Sequence, residues 1–339
     1  MDFARDESQA AVAEVAVELV RRAPGAALWP ALVESGLLSA PLPARLGGDD
    51  LGLLGVCTLL YELARGAAEV PAQATLGLGV LPVLATARPE VADELLAGVA
   101  TGAVLTAGLR QPGAGAPIRV ETDAARGRLF GRTVGVPYAA QAAAILLPTD
   151  LGLAVVGPTD QGVSCIPTRT SAGTPEATLV LDGARARHLI EADPAVLHRY
   201  RLATVGAVAD GLLAGAIGLT AGHVRTRHQF GKPLATFQAV AQQIADVYVT
   251  GRTLHVGAQS AAWRLAEGLD PDDDLAVLGY WIAAEVPPAL RICHHLHGGI
   301  GVDVDYPLHR YSSQVKDLVR GLGGPSARLA EVGRSVGAR

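Results

Sequence analysis

The sequence predicts a mainly α protein with a central β-domain: an N-terminal helical domain, a small β-barrel and a C-terminal four-helix bundle. Changes in hydrophobic period support this fold class. Apolar residues recur at helical spacing over 1–101, short strand-like runs fill 102–192, and helical spacing returns over 193–339. The 339 residues suffice for two or three domains with cores of their own.

The N-terminal domain is predicted to be entirely helical. Its apolar residues recur every three or four positions, and Gly and Pro separate the segments. Helices are expected near residues 11–20, 28–33, 51–65, 78–86 and 89–98.

The central domain is predicted to be a small barrel or sandwich, because Gly, Pro and Asp punctuate its apolar runs every eight to twelve residues. Strands are expected near residues 104–109, 118–121, 128–134, 144–147, 153–156, 162–166 and 177–181.

The C-terminal domain carries the sharpest helical pattern. A heptad seam predicts one helix of an antiparallel bundle. The preceding helix is rich in Gly and Ala over 206–218, which predicts close backbone approach to a neighbour, and Pro287 and Pro288 interrupt the third helix. The seam residues are Val240, Ile244, Val247, Gly251, Leu254, Ala258, Ala261 and Leu265.

Composition narrows the classes of function. A formal net charge of -5 with dispersed basic residues gives no reason to expect nucleic-acid binding. Cys57, Cys165 and Cys293 are far apart and odd in number, which predicts a reducing cytoplasm and no metal site. We expect no signal peptide and no membrane segment, because the N-terminus is acidic and the apolar run at 76–87 is short and interrupted.

The densest polar block lies between two long apolar helices. Arg225, Arg227 and His228 cluster at the end of one helix, and Gly231 and Pro233 predict a turn before the next. Cations at a helix C-terminus offset the carbonyl dipole, so a capped helical corner is one interpretation. A guanidinium also offers a planar fork of donors to phosphate oxygens, so a phosphate site is the other.

Five segments, in order and at matching separations, resemble the acyl-CoA dehydrogenase family. The polar block has Arg227, Phe230, Gly231 and Gln238 in register with that family's R-x-x-F-G signature. The order of helical, β and helical domains is also that of the family, so the resemblance extends over nearly the whole chain and implies its fold. The segments are 29–38, 46–49, 227–238, 297–301 and 306–310.

The resemblance implies FAD as the cofactor. In that family the signature Arg and Gln reach the FAD pyrophosphate across a subunit boundary, and a later Gly-Gly pair lies against the adenosine-pyrophosphate half, where a missing Cβ permits close approach. His295 stands where the family often has a Gln, and an imidazole can also donate a hydrogen bond. The implied cofactor-binding residues are Arg227, Phe230, Gln238, His295, Gly298 and Gly299.

The His-rich segment before the Gly-Gly pair also raises a metal site as an alternative. His294, His295 and His297 lie within four residues. The i, i+4 pair of helical ligands is absent, however, and no carboxylate occurs nearby before Asp303. We therefore predict no metal ligands here.

The groups that hold the flavin ring in this family are missing. The loop T-E-P-x-A-G-S-D of the family matches 109–117, where Arg110, Gln111 and Ala116 replace Thr, Glu and Ser. The next strand of the family carries a Trp that stacks on the flavin, whereas the matching run 135–139 has none. The loop is therefore interpreted as a barrel turn.

The catalytic base is missing as well. The family places a Glu at one of two positions, which here hold Leu322 and Arg201. Asp210 is the acidic residue nearby, and we interpret it as a cap or surface residue. No catalytic residue is predicted in this chain.

The chain is thus similar to the shorter, base-lacking subunits of actinobacterial heterotetrameric acyl-CoA dehydrogenases that act on steroid side chains, as in cholesterol catabolism. This implies an α2β2 assembly with a longer homologous subunit, which supplies the Glu and the flavin-ring pocket and holds most of the acyl-CoA. The enzyme would catalyse α,β-dehydrogenation, and this chain alone would be inactive. Two alternatives stay open: a scaffold or regulatory protein of the same fold, and a homomeric flavoenzyme with another reaction.

Overall fold

The computed structural model describes residues 4–109, 119–121 and 127–337. The chain separates into two compact units. One comprises Met1–Val20, Cys57–Ala68 and Leu202–Arg339, and the other comprises Arg21–Val56 and Glu69–Arg201. The boundaries of three domains at about 101 and 192 stay a prediction.

Five α-helices precede the first strand in the described chain, at the positions that the apolar spacing predicts. A π-helical segment, Gln73–Val80, leads directly into the fourth of them and is almost wholly buried, which the sequence pattern did not predict. The helices are α1 (Glu7–Arg22), α2 (Leu28–Glu34), α3 (Leu53–Arg65), α4 (Leu81–Thr86) and α5 (Pro89–Leu96).

The β-domain consists of two four-stranded sheets within the described residues, with orders β1-β4-β5-β8 and β2-β3-β7-β6. The pair β1 and β4 is parallel, and the other pairs are antiparallel. Leu129, Ile145, Ala154 and Leu179 belong to one apolar core to which both sheets contribute. The strands are β1 (Val104–Ala107), β2 (Arg119–Glu121), β3 (Arg128–Pro137), β4 (Ala142–Thr149), β5 (Gly152–Val156), β6 (Val163–Arg169), β7 (Pro175–Arg185) and β8 (His188–Ile190).

The rest of the chain is helical apart from one short hairpin. The break between α8 and α9 falls at Glu285, next to Pro287 and Pro288, as predicted. Helix α7 packs on α8 and α9, and α10 packs on α9. The elements are α6 (Ala195–Thr226), β9 (His228–Gln229), β10 (Lys232–Pro233), α7 (Gln238–Ala266), α8 (Asp272–Ala284), α9 (Val286–His297), α10 (Leu308–Leu322) and α11 (Gly324–Gly337).

Small residues let α6 approach α3 closely. A Cβ on Gly211 would lie 2.2 Å from the carbonyl oxygen of Tyr61, and one on Gly215 would lie 2.3 Å from that of Arg65. The predicted close backbone approach is therefore confirmed, and it explains why residues with poor helix propensity occupy this helix.

The predicted heptad seam is the buried side of α7, with Val247, Leu254, Ala258 and Ala261 in the core. The mainly helical fold class with a β-domain in the middle of the chain is likewise confirmed.

Two helical stretches of the described chain, Ala195–Thr226 and Asp272–Val302, are long and apolar enough to cross a membrane. In the apolar windows of these stretches, 67% and 50% of the residues are buried inside the protein. A core helix of a packed bundle passes the same test of length and composition, and burial accounts for their apolar character here.

Candidate functional site

The polar block after α6 folds as a tight β-hairpin. Gln229 of β9 pairs with Lys232 of β10, which leaves Phe230 and Gly231 as the two turn residues, with φ of +52° and +77°. Positive φ at both central positions is the geometry of a type I′ turn, which Gly adopts freely and Phe does not. The Phe230 side chain is 91% exposed. The turn therefore holds an exposed aromatic ring on a strained backbone.

Arg227 links α6 to this hairpin. Its backbone N–H donates to the carbonyl of His223 at 2.8 Å, and its own carbonyl accepts from the N–H of Leu234 at 2.9 Å. The side chain is exposed, and its guanidinium makes no hydrogen bond or ion pair with any residue that the structure describes. A fixed backbone with a free guanidinium suits an external anion.

Gln238 begins α7 on the far side of the hairpin. It is exposed, and Phe237, the residue at the N-cap position, makes no side-chain bond to the first turn of this helix. The hairpin is held beside this helix start, because the Phe237 ring meets Phe230 edge-on at 6.3 Å and lies 4.3 Å from the Lys232 ammonium. Free N–H groups at a helix N-terminus favour anions. The start of α7 at Gln238 and the guanidinium of Arg227 therefore both suit a negatively charged ligand.

The Gly-Gly pair ends α9. Gly298 adopts φ +63° and ψ −141°, which takes the chain out of the helix. A Cβ added at Gly298 or Gly299 would meet no atom within 4 Å, so both residues present open backbone. His295, in the last turn of α9, is exposed.

A stack of two imidazoles joins the hairpin to the Gly-Gly turn. The rings of His223, in the last turn of α6, and His297, the last residue of α9, lie 4.5 Å apart and nearly parallel, at 23°. His297 is 6% exposed. Its Nδ1–H donates to the Cys293 carbonyl at 2.8 Å, and its Nε2 accepts from the Tyr306 hydroxyl at 3.0 Å; these partners assign the neutral tautomer.

Both rings of the stack favour the neutral form. Burial lowers the pKa of His223, and the charge of Arg227 lowers it further. Burial also lowers the pKa of His297, with smaller opposing and reinforcing effects from Cys293, His223 and His294. Two neutral rings can stack without charge repulsion, which is consistent with their separation.

The three histidines of α9 lie in different environments. His294 Nε2 contacts the Ser312 hydroxyl at 2.5 Å, His297 contacts Tyr306, and His295 is exposed. Within the described residues no group of three or more His, Cys, Asp or Glu side chains is arranged to hold a metal ion.

The interpretation of Asp210 as a cap or surface residue is wrong. Asp210 is 5% exposed and accepts a hydrogen bond from His255 Nδ1 at 2.7 Å. Burial raises the pKa of Asp210, and the His255 bond opposes that rise. The small residues of α6 bring Asp210 into the core, where an α7 side chain satisfies it. Leu322, at one of the two base positions, is a buried residue at the end of α10.

The predicted flavin-ring segments are only partly described. The loop 110–117 lies outside the described residues. Directly after β3, Tyr138 has φ +53°, and its side chain packs against the core of the β-domain, where burial raises its pKa to about 12. The indole N–H of Trp29 already has a partner, since it donates to the Gly102 carbonyl at 3.1 Å.

Known proteins are similar to this chain over nearly its whole length. Residues 1–103 match the acyl-CoA dehydrogenase N-terminal domain, and residues 195–333 match the C-terminal domain. The chain is 51% identical over 336 residues to acyl-CoA dehydrogenase FadE28 of Mycobacterium tuberculosis (strain ATCC 25618 / H37Rv), covering 98% of each protein.

Two solved structures are similar throughout. One is the ChsE4-ChsE5 complex from Mycobacterium tuberculosis, with a TM-score of 0.93, 31% identity and 100% of both chains covered. The other is a variant of the Tcur3481-Tcur3483 steroid ACAD, with a TM-score of 0.90, 31% identity and 98% of both chains covered.

Proposed function

The chain belongs to the acyl-CoA dehydrogenase family, and on that premise we propose that it is the subunit of a heteromeric enzyme that grips FAD without supplying the catalytic base. FAD is the cofactor of this family of oxidoreductases. One observation carries the proposal. Arg227, Gln238 and His295 are exposed and make no side-chain hydrogen bond among the described residues, and Gly298 and Gly299 are exposed as well, while Leu322 and Arg201 stand at the base positions.

The described residues fit the diphosphate of FAD. Arg227 offers an uncommitted guanidinium, α7 offers an uncapped N-terminus beside Gln238, and Gly298 and Gly299 offer backbone that a phosphate or ribose can approach. Bound FAD would accept the β-hydride of the acyl group. The part of this chain is to bind and orient the diphosphate, with His295 as an additional donor.

We call the surface formed by Arg227, Gln238, Gly298 and Gly299 the cofactor corner. Exposed apolar side chains that lie near these residues in the sequence support a subunit interface at this corner. Phe230 is 91% exposed, and Val302 and Val304, which follow the Gly-Gly turn, are 76% and 75% exposed. A contiguous exposed apolar patch is typical of a surface that another chain covers, and these three side chains would contribute to such a patch. We propose that a longer homologous subunit covers them in an α2β2 assembly and supplies the Glu, the flavin-ring pocket and most of the acyl-CoA site.

The substrate is proposed to be a CoA thioester with a bulky acyl group, most simply a steroid side chain. The similarity to a steroid ACAD and to the ChsE4-ChsE5 complex supports this choice. We also propose a role in cholesterol catabolism in the cytoplasm, and the free thiols Cys57, Cys165 and Cys293 are compatible with a reducing compartment.

The proposal is tested by purifying the chain alone and together with its partner and recording the flavin absorbance. We expect colourless, inactive protein alone and a yellow, active complex. Arg227→Ala should weaken FAD binding by the complex about ten-fold or more, the loss expected for charge-assisted hydrogen bonds to phosphate. Arg225→Ala, an equal charge change at an exposed neighbour, is the control.

Other outcomes would identify the alternatives. A complex that holds no flavin indicates a scaffold or regulatory protein, and yellow, active protein without a partner indicates a homomeric flavoenzyme. Unchanged flavin occupancy in Arg227→Ala would contradict the assigned role of this residue.

A further inference from the structure

We infer that His297 is a positioning residue: with Tyr306 it holds the end of α6, which Arg227 directly follows, against the Gly298 turn, and so sets the affinity for FAD. The inference rests on the proposed function. It concerns a residue whose side chain lies beneath the cofactor corner and does not itself project from it, since His297 is buried while Gly298 and Gly299 are exposed.

The hydrogen bonding of His297 is complete although the residue is buried. Both ring nitrogens have partners, the Cys293 carbonyl and the Tyr306 hydroxyl. A buried imidazole is costly unless it is bonded, and an apolar side chain of similar size would fill this core position without that cost. The bonds fix the ring in one orientation, and that orientation allows the stack with His223.

On one side the ring controls the segment that contains Arg227. His223 stacks on His297, and the carbonyl of His223 accepts the backbone N–H of Arg227 one turn later. Arg227 then accepts from Leu234 across the hairpin. A shift of the His223 ring is therefore transmitted through backbone hydrogen bonds to the position of Arg227.

On the other side the ring controls the Gly-Gly turn. Gly298 follows His297 directly. Tyr306, at the far end of the loop, donates a hydrogen bond from its hydroxyl to the same ring. The Tyr306 carbonyl also accepts from His309 Nδ1 at 2.7 Å, which ties this end to α10. Gly301 lies so close that a Cβ there would be 2.9 Å from the His297 Cβ. The loop is thus closed onto His297 from both ends.

The test uses the complete complex and three variants: Tyr306→Phe, His297→Leu and the double variant. We expect Tyr306→Phe to raise the dissociation constant for FAD about five-fold, the loss expected for one hydrogen bond, and His297→Leu to raise it further. In the His297→Leu background, Tyr306→Phe should have almost no additional effect, because the hydroxyl has already lost its partner. Tyr280→Phe, at a half-buried tyrosine of α8 with no hydroxyl bond among the described residues, is the control.

A second measurement does not depend on FAD. Hydrogen exchange at the bonded amides of Arg227, Leu234 and Phe237 should become faster in Tyr306→Phe, although that residue lies far away in sequence. A purely local role in packing would leave these amides unchanged. If His297→Leu does not fold, Tyr306→Phe alone decides between the outcomes.

Two results would overturn the inference: FAD affinity in Tyr306→Phe within about two-fold of the parent complex, or additive effects in the double variant. Failure of the proposed function is recognised separately. If the complex holds no flavin, the proposed function is contradicted, and exchange at the three amides then decides the coupling: faster exchange in Tyr306→Phe supports it and unchanged exchange overturns it.

Discussion

The cofactor corner and the core between α6 and α7 use polar residues in opposite ways. At the corner, Arg227 and Gln238 are exposed and make no side-chain bond within the described part of the chain. In the core, Asp210 and His255 are bonded to each other at 2.7 Å. Polar groups that a fold satisfies internally maintain the fold, whereas exposed groups fixed by their backbones are available to a ligand or a partner.

The comparison predicts that changes in the core reduce stability and leave FAD affinity intact. The largest effect is expected for His255→Ala, which removes the partner of a buried carboxylate and should lower the free energy of unfolding by about 3 kcal/mol. Asp210→Asn, which keeps an acceptor for the His255 bond, should cost clearly less. Urea unfolding of both variants checks this, and equal losses would show that the bond is unimportant.

The next effect concerns the contact of α6 with α3. Gly211→Ala places a Cβ 2.2 Å from the Tyr61 carbonyl oxygen, so we expect a loss of about 2 kcal/mol from overpacking. Gly222→Ala in the same helix meets nothing within 4 Å and should raise stability by about 0.5 kcal/mol through helix propensity. Thermal unfolding separates the two, and similar shifts would argue against the close approach.

At the corner the expected pattern is reversed. Phe230→Asn suits the positive φ of the turn and should raise the stability of the isolated chain by about 1 kcal/mol. The same change removes an exposed ring from the proposed interface and should weaken the complex. Melting of the chain alone and titration of the partner measure the two effects. Tighter association would contradict the interface.

The smallest effect is the dependence on pH. Burial is the main cause that lowers the pKa values of His223, His294 and His297 in the folded chain. As pH falls below about 6.5, the unfolded chain therefore binds more protons at these residues than the folded chain does. Stability should therefore decrease with acidification below this value. Unfolding midpoints of the parent and of His297→Leu from pH 7 to 5 test this, since the variant should show a weaker decrease.

Sequence periodicity was sufficient where structure depends on local spacing. It predicted the α7 seam, the close approach of α6 at Gly211 and Gly215, and the break near Pro287. The resemblance to the acyl-CoA dehydrogenases is also confirmed. Features of this kind follow from repeated small or apolar residues and from proline, and they require no knowledge of distant partners.

Pairings between distant segments were missed. The stack of His223 on His297 and the Asp210–His255 bond depend on the rotation of one helix against another, which no single-segment pattern specifies. Asp210 was misread because a lone acid in a helix is usually exposed. One feature was within reach of the sequence: a two-residue F-G turn between short polar pairs indicates a type I′ hairpin with a strained Phe230.

The central claim is that this chain binds the FAD diphosphate while a partner subunit supplies the catalytic base and the flavin-ring pocket. The flavin content of the purified chain, with and without its partner, tests this claim most directly. We expect no flavin and no turnover with the chain alone, and one FAD per unlike pair, with acyl-CoA oxidation, in the complex. Stoichiometric flavin and turnover of a thioester by the chain alone would contradict the proposed role.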